Sequence, residues 1–307
     1  MKLVAILFVV NLVEQAYSEE VSLDKIDFER GRQLTVVNQQ IAANDGGVGM
    51  FDPNLFEGDI IVDPDQPIQN AIVEETRHWR HGILPYTLTS QFTDDGRAMI
   101  ARAMDAIMSR TCITFVPHDP NDPAHRDYVH INNKQDRGCS AYAGRWGRGR
   151  QPMNLGAGCM THGSIVHELL HALGFWHEQT RPDRDRYIEI VWENVMDDAK
   201  PWFTKRNDTT VLGTEYDYHS VMHYPLWAFS KNGLDTIRVK QRGVEIKYAN
   251  EMSAKDIIKI NRLYKCNQTC SDEYSNCAHF VSYCSSLRAV ASGCKKSCGT
   301  CRIFECG

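Results

Sequence analysis

No stretch of this 307-residue chain is apolar over the length that a bilayer crossing requires. The apolar run at residues 3–10 is too short to span, and nothing later in the chain comes close. Charge of one sign is lacking as well. The chain carries 34 Lys and Arg against 39 Asp and Glu, interspersed, for a net charge of −5. That balance excludes a nucleic-acid or polyanion partner held by bulk charge. Cysteine, by contrast, is plentiful at 11 residues. Lys2, the short apolar run and the small-x-small site Ala16-Tyr17-Ser18 read together as a signal peptide over residues 1–18. Export puts the chain in an oxidising, extracellular compartment, so its cysteines are expected in disulfides rather than as zinc thiolates. The length admits one good-sized domain with smaller additions.

The most informative run is His167-Glu168-Leu169-Leu170-His171-Ala172-Leu173-Gly174-Phe175-Trp176-His177. Apolar residues at 165, 166, 169, 170 and 173 mark it as helical, so His167 and His171, four apart, leave one face. Two imidazoles at that spacing can share one Zn²⁺ at roughly 2.0–2.1 Å per bond. Glu168 lies beside them as a base for a metal-held water. Gly174 can take a positive φ and reverse the chain, returning His177 as a third ligand. Three neutral imidazoles leave a fourth position open, as in catalytic zinc sites. A bare H-E-x-x-H is a weak signal; the added G-x-x-H is far rarer. Glu189 and Glu193 are alternative third ligands, less well placed than His177. The competing reading is a buried helix with satisfied histidines.

Two further runs carry a resemblance: His177-Glu178-Gln179-Thr180-Arg181-Pro182-Asp183-Arg184-Asp185-Arg186-Tyr187 and Ser220-Val221-Met222-His223-Tyr224. With the histidine motif they resemble the astacin family of zinc metalloproteases, over about residues 70–266. The resemblance implies an α+β, two-lobed metzincin fold. Its upper lobe has a five-stranded mixed sheet and two long helices, above an irregular lower lobe. Sequence alone reaches only α+β. The resemblance further implies one zinc per chain on His167, His171 and His177, and Glu168 as general base. Met222 becomes a packed floor, His223 a structural residue, and Tyr224 a donor to the oxyanion. Glu178 is expected near the ligands, neutralised by the ammonium of a processed N-terminus. Arg181, Asp183, Arg184 and Asp185 read as an ion-pair lattice. The implied disulfides are Cys112–Cys266 and Cys139–Cys159. Protein or peptide substrates are expected to lie along the sheet's edge strand by strand addition.

Residues 19–69 are polar and broken by Gly and Pro, with a short helix within residues 22–38. Phe56-Glu57-Gly58-Asp59 resembles the family's latency motif, which makes 19–69 a propeptide with Asp59 as the zinc ligand of the latent form. Inside the protease region strands are expected at 83–88, 113–116 and 128–131, with shorter ones at 139–142 and 153–155. Asp94 or Asp95 caps a helix with an apolar face of Ile100, Ala103, Met104, Ile107 and Met108. The Gly- and Arg-rich loop 144–150 reads as a solvated hairpin tip. Ser253-Ala254-Lys255-Asp256 has the form of a capping box for a last helix.

Residues 270–301 crowd six cysteines into a segment too small to fold without staples. They resemble the ShKT module, which implies Cys270–Cys301, Cys277–Cys294 and Cys284–Cys298. The Lys-Tyr pair on which channel block depends in related toxins is missing, so a docking or targeting module is the better reading. Cys306 is left over, free or available for a disulfide dimer. Asn207 and Asn267 head N-x-T acceptor patterns for glycosylation. The basic residue that family members carry before the mature start is missing too: Pro67-Ile68-Gln69 precedes Asn70. Arg77 and Arg80 are the nearest tryptic sites, and a cut there is expected to leave Glu178 poorly compensated. The whole pattern reads as a secreted, zymogen-type zinc endopeptidase. The alternative is a non-catalytic extracellular binding protein on a protease scaffold.

Overall fold

The computed structural model of the chain describes residues 20–34, 52, 55–62, 75–135, 138–156, 158–206, 210–267 and 305–306. Residues 1–18, Asn70, Asn207, the six cysteines of 270–301 and the side chains of Asn267 and Cys306 lie outside them. Among the described residues no helix is long and apolar enough to cross a membrane.

Two short strands come from the N-terminal segment, β1 (Glu20–Val21) and β2 (Ile60–Ile61). Five more build the upper lobe: β3 (Ile83–Thr89), β4 (Thr114–Pro117), β5 (Tyr128–Asn132), β6 (Cys139–Tyr142) and β7 (Arg150–Leu155). β3 runs parallel to β4 and β5, β5 parallel to β7, and β7 antiparallel to β6. The sheet is therefore mixed, as expected, and among the described residues the protease region supplies five of its seven strands and the N-terminal segment the other two. β1 adds antiparallel to the end of β3, and β2 adds parallel to β6 at Ala141 and Tyr142. Two-residue strands carry no period that a sequence could reveal. The edge strand β6 is thus covered by the chain's own N-terminal segment.

Among the described residues there are four α-helices: α1 (Lys25–Gln33), α2 (Asp94–Met108), α3 (His162–Ala172) and α4 (Ala254–Leu263). In α2 the apolar period buries Ile100, Ala103, Met104 and Ile107 in the main core. Full burial of each large side chain contributes about 1.5–3 kcal/mol. The cap of α2 differs from expectation. Thr93, not Asp94 or Asp95, accepts the Gly96 N–H, while the two aspartates occupy the first turn. There their charges favour the positive end of the helix dipole. α1 packs on α2 so tightly that a Cβ on Gly31 would stand 2.6 Å from the Ala98 carbonyl oxygen. Asp27 of α1 takes two bonds from Arg97, and Arg30 reaches Asp94.

Both implied disulfides of the protease region are present. Cys112–Cys266 joins residues 154 apart, and Cys139–Cys159 ties β6 to the segment entering α3. Such links stabilise chiefly by restricting the unfolded chain. The lower lobe holds only one small antiparallel pair among the described residues, β8 (Ile188–Ile190) with β9 (Ile237–Val239). It lies around a second core that includes Phe203, Tyr216 and Tyr224. Beyond α4, β10 (Cys266–Asn267) pairs with β11 (Glu305–Cys306). In loop 144–150 the tip at 147–148 is solvated. Arg145, however, folds back onto Asp127 and the His78 carbonyl.

Candidate metal centre and cleft

α3 carries the motif because every local signal agrees. Thr161 caps it by accepting the Ser164 N–H at 3.1 Å, and all its residues are buried between the sheet and the cleft. It ends where Gly174 takes φ +102°. Gly174 N–H donates to His171 O at 2.7 Å and Phe175 N–H to Leu170 O at 3.0 Å, a Schellman closure. The reversed chain then brings His177 back to the face that presents His167 and His171.

The three imidazoles are oriented from behind. Nδ1 of His167 donates to Val221 O, Nδ1 of His171 to Phe175 O, and Nδ1 of His177 to Glu57 Oε2, each at 2.7 Å. Acceptors at Nδ1 put the proton there and leave each Nε2 with a bare lone pair. The Nε2 atoms of His167 and His177 are 3.3 Å apart. Asp59 closes the group, its oxygens 3.2, 3.1 and 3.6 Å from Nε2 of His167, His177 and His171. All four ligand atoms lie within 4.8 Å of one another and all four residues are buried. Facing lone pairs at such separations repel unless a cation stands among them. Asp59 Oδ1 and His171 Nε2 also have no hydrogen-bond partner. The donor set, N₃ plus one carboxylate oxygen, is the chemistry that zinc takes.

Glu168 stands beside this group with both carboxylate oxygens buried and unpartnered. Burial pushes its carboxyl well above the ordinary carboxylate range, and the Asp59 charge adds to the rise. Asp59 behaves oppositely. Burial alone raises it, but in the metal-free site the positive charge of the His177 and His171 rings as imidazolium outweighs burial and holds it well below its ordinary value. One site thus contains a carboxylate kept charged and a second whose affinity for a proton is raised.

The tyrosine of the second run reaches the same cleft. Tyr224 is buried on the lower-lobe side, its ring 4.5 Å from that of His177, and its hydroxyl donates to the Glu57 carbonyl. His223 faces away: its Nδ1 donates to Tyr224 O and its Nε2 accepts from the Tyr216 hydroxyl, both at 2.7 Å. Met222 is buried in the main core, and its carbonyl accepts the Glu178 N–H at 2.9 Å. Arg181 pairs with Asp183, and Arg184 with Asp185 and the Gln179 and Phe203 carbonyls, a lattice outside the cleft. Glu189 pairs with Arg238 on the surface, and Glu193 is exposed. Neither approaches the histidines as a ligand.

In the uncleaved chain Glu178 has partners of its own. Its Oε1 accepts from Arg181 at 3.0 Å and from the Asp217 N–H at 2.8 Å, and its Oε2 accepts from Lys259 Nζ at 2.6 Å. The carboxylate is already compensated from within the fold, by a lysine on α4 that the sequence did not single out. Two roles escaped the sequence reading altogether, those of Glu57 and Lys259. Their partners lie 120 and 81 residues away along the chain, and no local pattern announces either contact.

A peptidase-family model described as Astacin matches residues 71–265, and a model described as ShK domain-like matches residues 269–301. Zinc metalloproteinase nas-4 of Caenorhabditis elegans is 42% identical over 224 residues, 69% of this chain and 70% of that protein. Zinc metalloproteinase nas-15 of the same organism is 38% identical over 279 residues, 83% of this chain. The match spans 48% of nas-15, about half its length. Among solved structures, the hatching enzyme zinc-protease HCE-1 of Oryzias latipes aligns with a TM-score of 0.58 and 40% identity. That alignment covers 63% of this chain and 97% of HCE-1.

Proposed function

Because the chain belongs to the astacin family of zinc metalloproteases, we propose that it is a secreted zinc endopeptidase made as a latent precursor. Residues 1–18 are the export signal, 19–69 the propeptide, 70–266 the protease and 270–301 a ShKT-like docking module. His167, His171 and His177 hold one zinc. The observation that carries this reading is the convergence of three Nε2 lone pairs, each oriented by an acceptor at Nδ1.

A bound zinc supplies a Lewis acid for the scissile carbonyl and lowers the pKa of its water to about 7. Glu168, unpartnered and with a raised proton affinity, accepts the proton of the attacking water. It then delivers that proton to the leaving amine, so no nucleophilic Ser or Cys takes part. Asp59 among the ligands excludes the water that hydrolysis consumes. Ile60 and Ile61 on β6 and the Glu57 carbonyl on Tyr224 occupy the positions of substrate and oxyanion. Removal of the segment frees the β6 edge for a protein or peptide substrate and the Tyr224 hydroxyl for the tetrahedral intermediate.

The test is metal removal. Chelation of the processed enzyme is expected to abolish peptide hydrolysis, and one equivalent of zinc per chain to restore it. Hydrolysis that survives complete zinc removal overturns the reading. For Tyr224→Phe, kcat is expected to fall about 10²-fold, with KM little changed, as for loss of an oxyanion donor. An unchanged kcat reduces Tyr224 to packing.

A further inference from the structure

The three imidazoles that face Asp59 are not held alike. His167 and His171 are backed by main-chain carbonyls of the protease region, Val221 O and Phe175 O. His177 is backed by a side-chain carboxylate, and that carboxylate belongs to the N-terminal segment. Glu57 is 1% exposed, and its other oxygen lies 3.6 Å from Arg206 Nη1. Arg206 in turn lies over the Trp176 ring, 3.5 Å from its centroid. The backbone is bent to bring Glu57 there. Its φ is +51°, a left-handed conformation uncommon for a residue with a Cβ, and Gly58 follows at +82°. Two residues later comes Asp59. The two acidic side chains of this turn therefore meet the same histidine from its two sides, Asp59 at Nε2 and Glu57 at Nδ1.

We propose that Glu57 is a positioning residue for the metal, one that backs the third ligand only while residues 19–69 remain attached. The proposal rests on the reading that His167, His171 and His177 hold zinc and that 19–69 is removed on maturation. A carboxylate at Nδ1 fixes the tautomer and orientation of a ligating imidazole and raises its basicity toward the metal; loss of such a partner typically costs about 10–100-fold in affinity. When the segment leaves, His167 and His171 keep their acceptors and His177 alone loses its own. The uncleaved chain thus binds zinc more tightly than the processed enzyme through two contributions, Asp59 in the metal's own shell and Glu57 behind His177. Metal loading belongs to the precursor, and Phe56-Glu57-Gly58-Asp59 is a retention device as well as a plug.

The experiment measures zinc affinity by competition with a chromogenic chelator in the full uncleaved chain. Glu57→Ala is expected to raise the zinc Kd about 10–100-fold. Glu57→Gln keeps an acceptor without the charge and should fall between the two. Cleavage after residue 69 turns wild type and variants into the same protein, so their zinc affinities must then coincide; this separates a local effect from misfolding. Equal zinc affinity of the uncleaved wild-type and Glu57→Ala chains overturns the proposal. Failure of the wild-type chain to bind zinc at all overturns it together with the three-histidine reading, and the two results are told apart by that wild-type measurement.

Discussion

Glu168→Gln is expected to keep its zinc and its fold while losing turnover by about 10²–10⁴-fold, the span that a positioned general base contributes. The structure gives reason to separate the three effects. Glu168 Oε1 and Oε2 accept no hydrogen bond and touch none of the atoms that orient the histidines. An amide of the same shape therefore breaks no contact. It also removes a carboxyl whose ionisation burial opposes. The variant should melt no lower than wild type. Metal analysis, thermal unfolding and peptide hydrolysis on the processed enzyme check the three statements separately. A variant that still turns over at the wild-type rate requires another base. One that loses its zinc makes Glu168 part of the metal shell.

Lys259→Met is expected to destabilise the fold by about 3 kcal/mol, the lower end of the cost of breaking a buried ion pair. Lys259 and Glu178 are 8% and 5% exposed, and their 2.6 Å contact is the shorter of the two ion pairs on that carboxylate. Loss of the ammonium leaves a buried charge with Arg181 and one N–H. Those remaining partners place the effect at the low end of the range. At roughly 2–4 °C per kcal/mol for a domain of this size, the midpoint falls by about 6–12 °C. Glu178 directly follows the third histidine and donates its N–H to Met222 O. The same variant should therefore loosen the metal site, and Lys259→Arg should recover most of both properties. A Lys259→Met protein that melts with wild type shows that Arg181 alone suffices for Glu178.

Much of this was legible along the chain because the relevant interactions are local. The four-residue spacing of His167 and His171 needs only a helix to become a shared face, and Gly174 needs only its freedom at positive φ to end that helix. The Ser253–Asp256 capping box likewise spans only four residues, and it closes as read. The apolar period of α2 survived as its buried face. Even so, the cap moved one residue, because threonine and aspartate compete for one site and the entering chain's direction selects between them.

What the sequence by itself determined, then, is the helix that carries His167 and His171, the return of His177 and the α+β class, since each depends on residues within a few turns of one another. Only the tertiary structure decided which groups stand behind those ligands. Val221 O and Phe175 O orient two of them, Glu57 reaches the third from 120 residues away, and Lys259 of the last helix neutralises the glutamate beside it. The physical reason is common to all of these. A buried carboxylate or imidazole must find a partner wherever packing brings one, and packing joins parts of the chain whose separation in sequence carries no periodic signal.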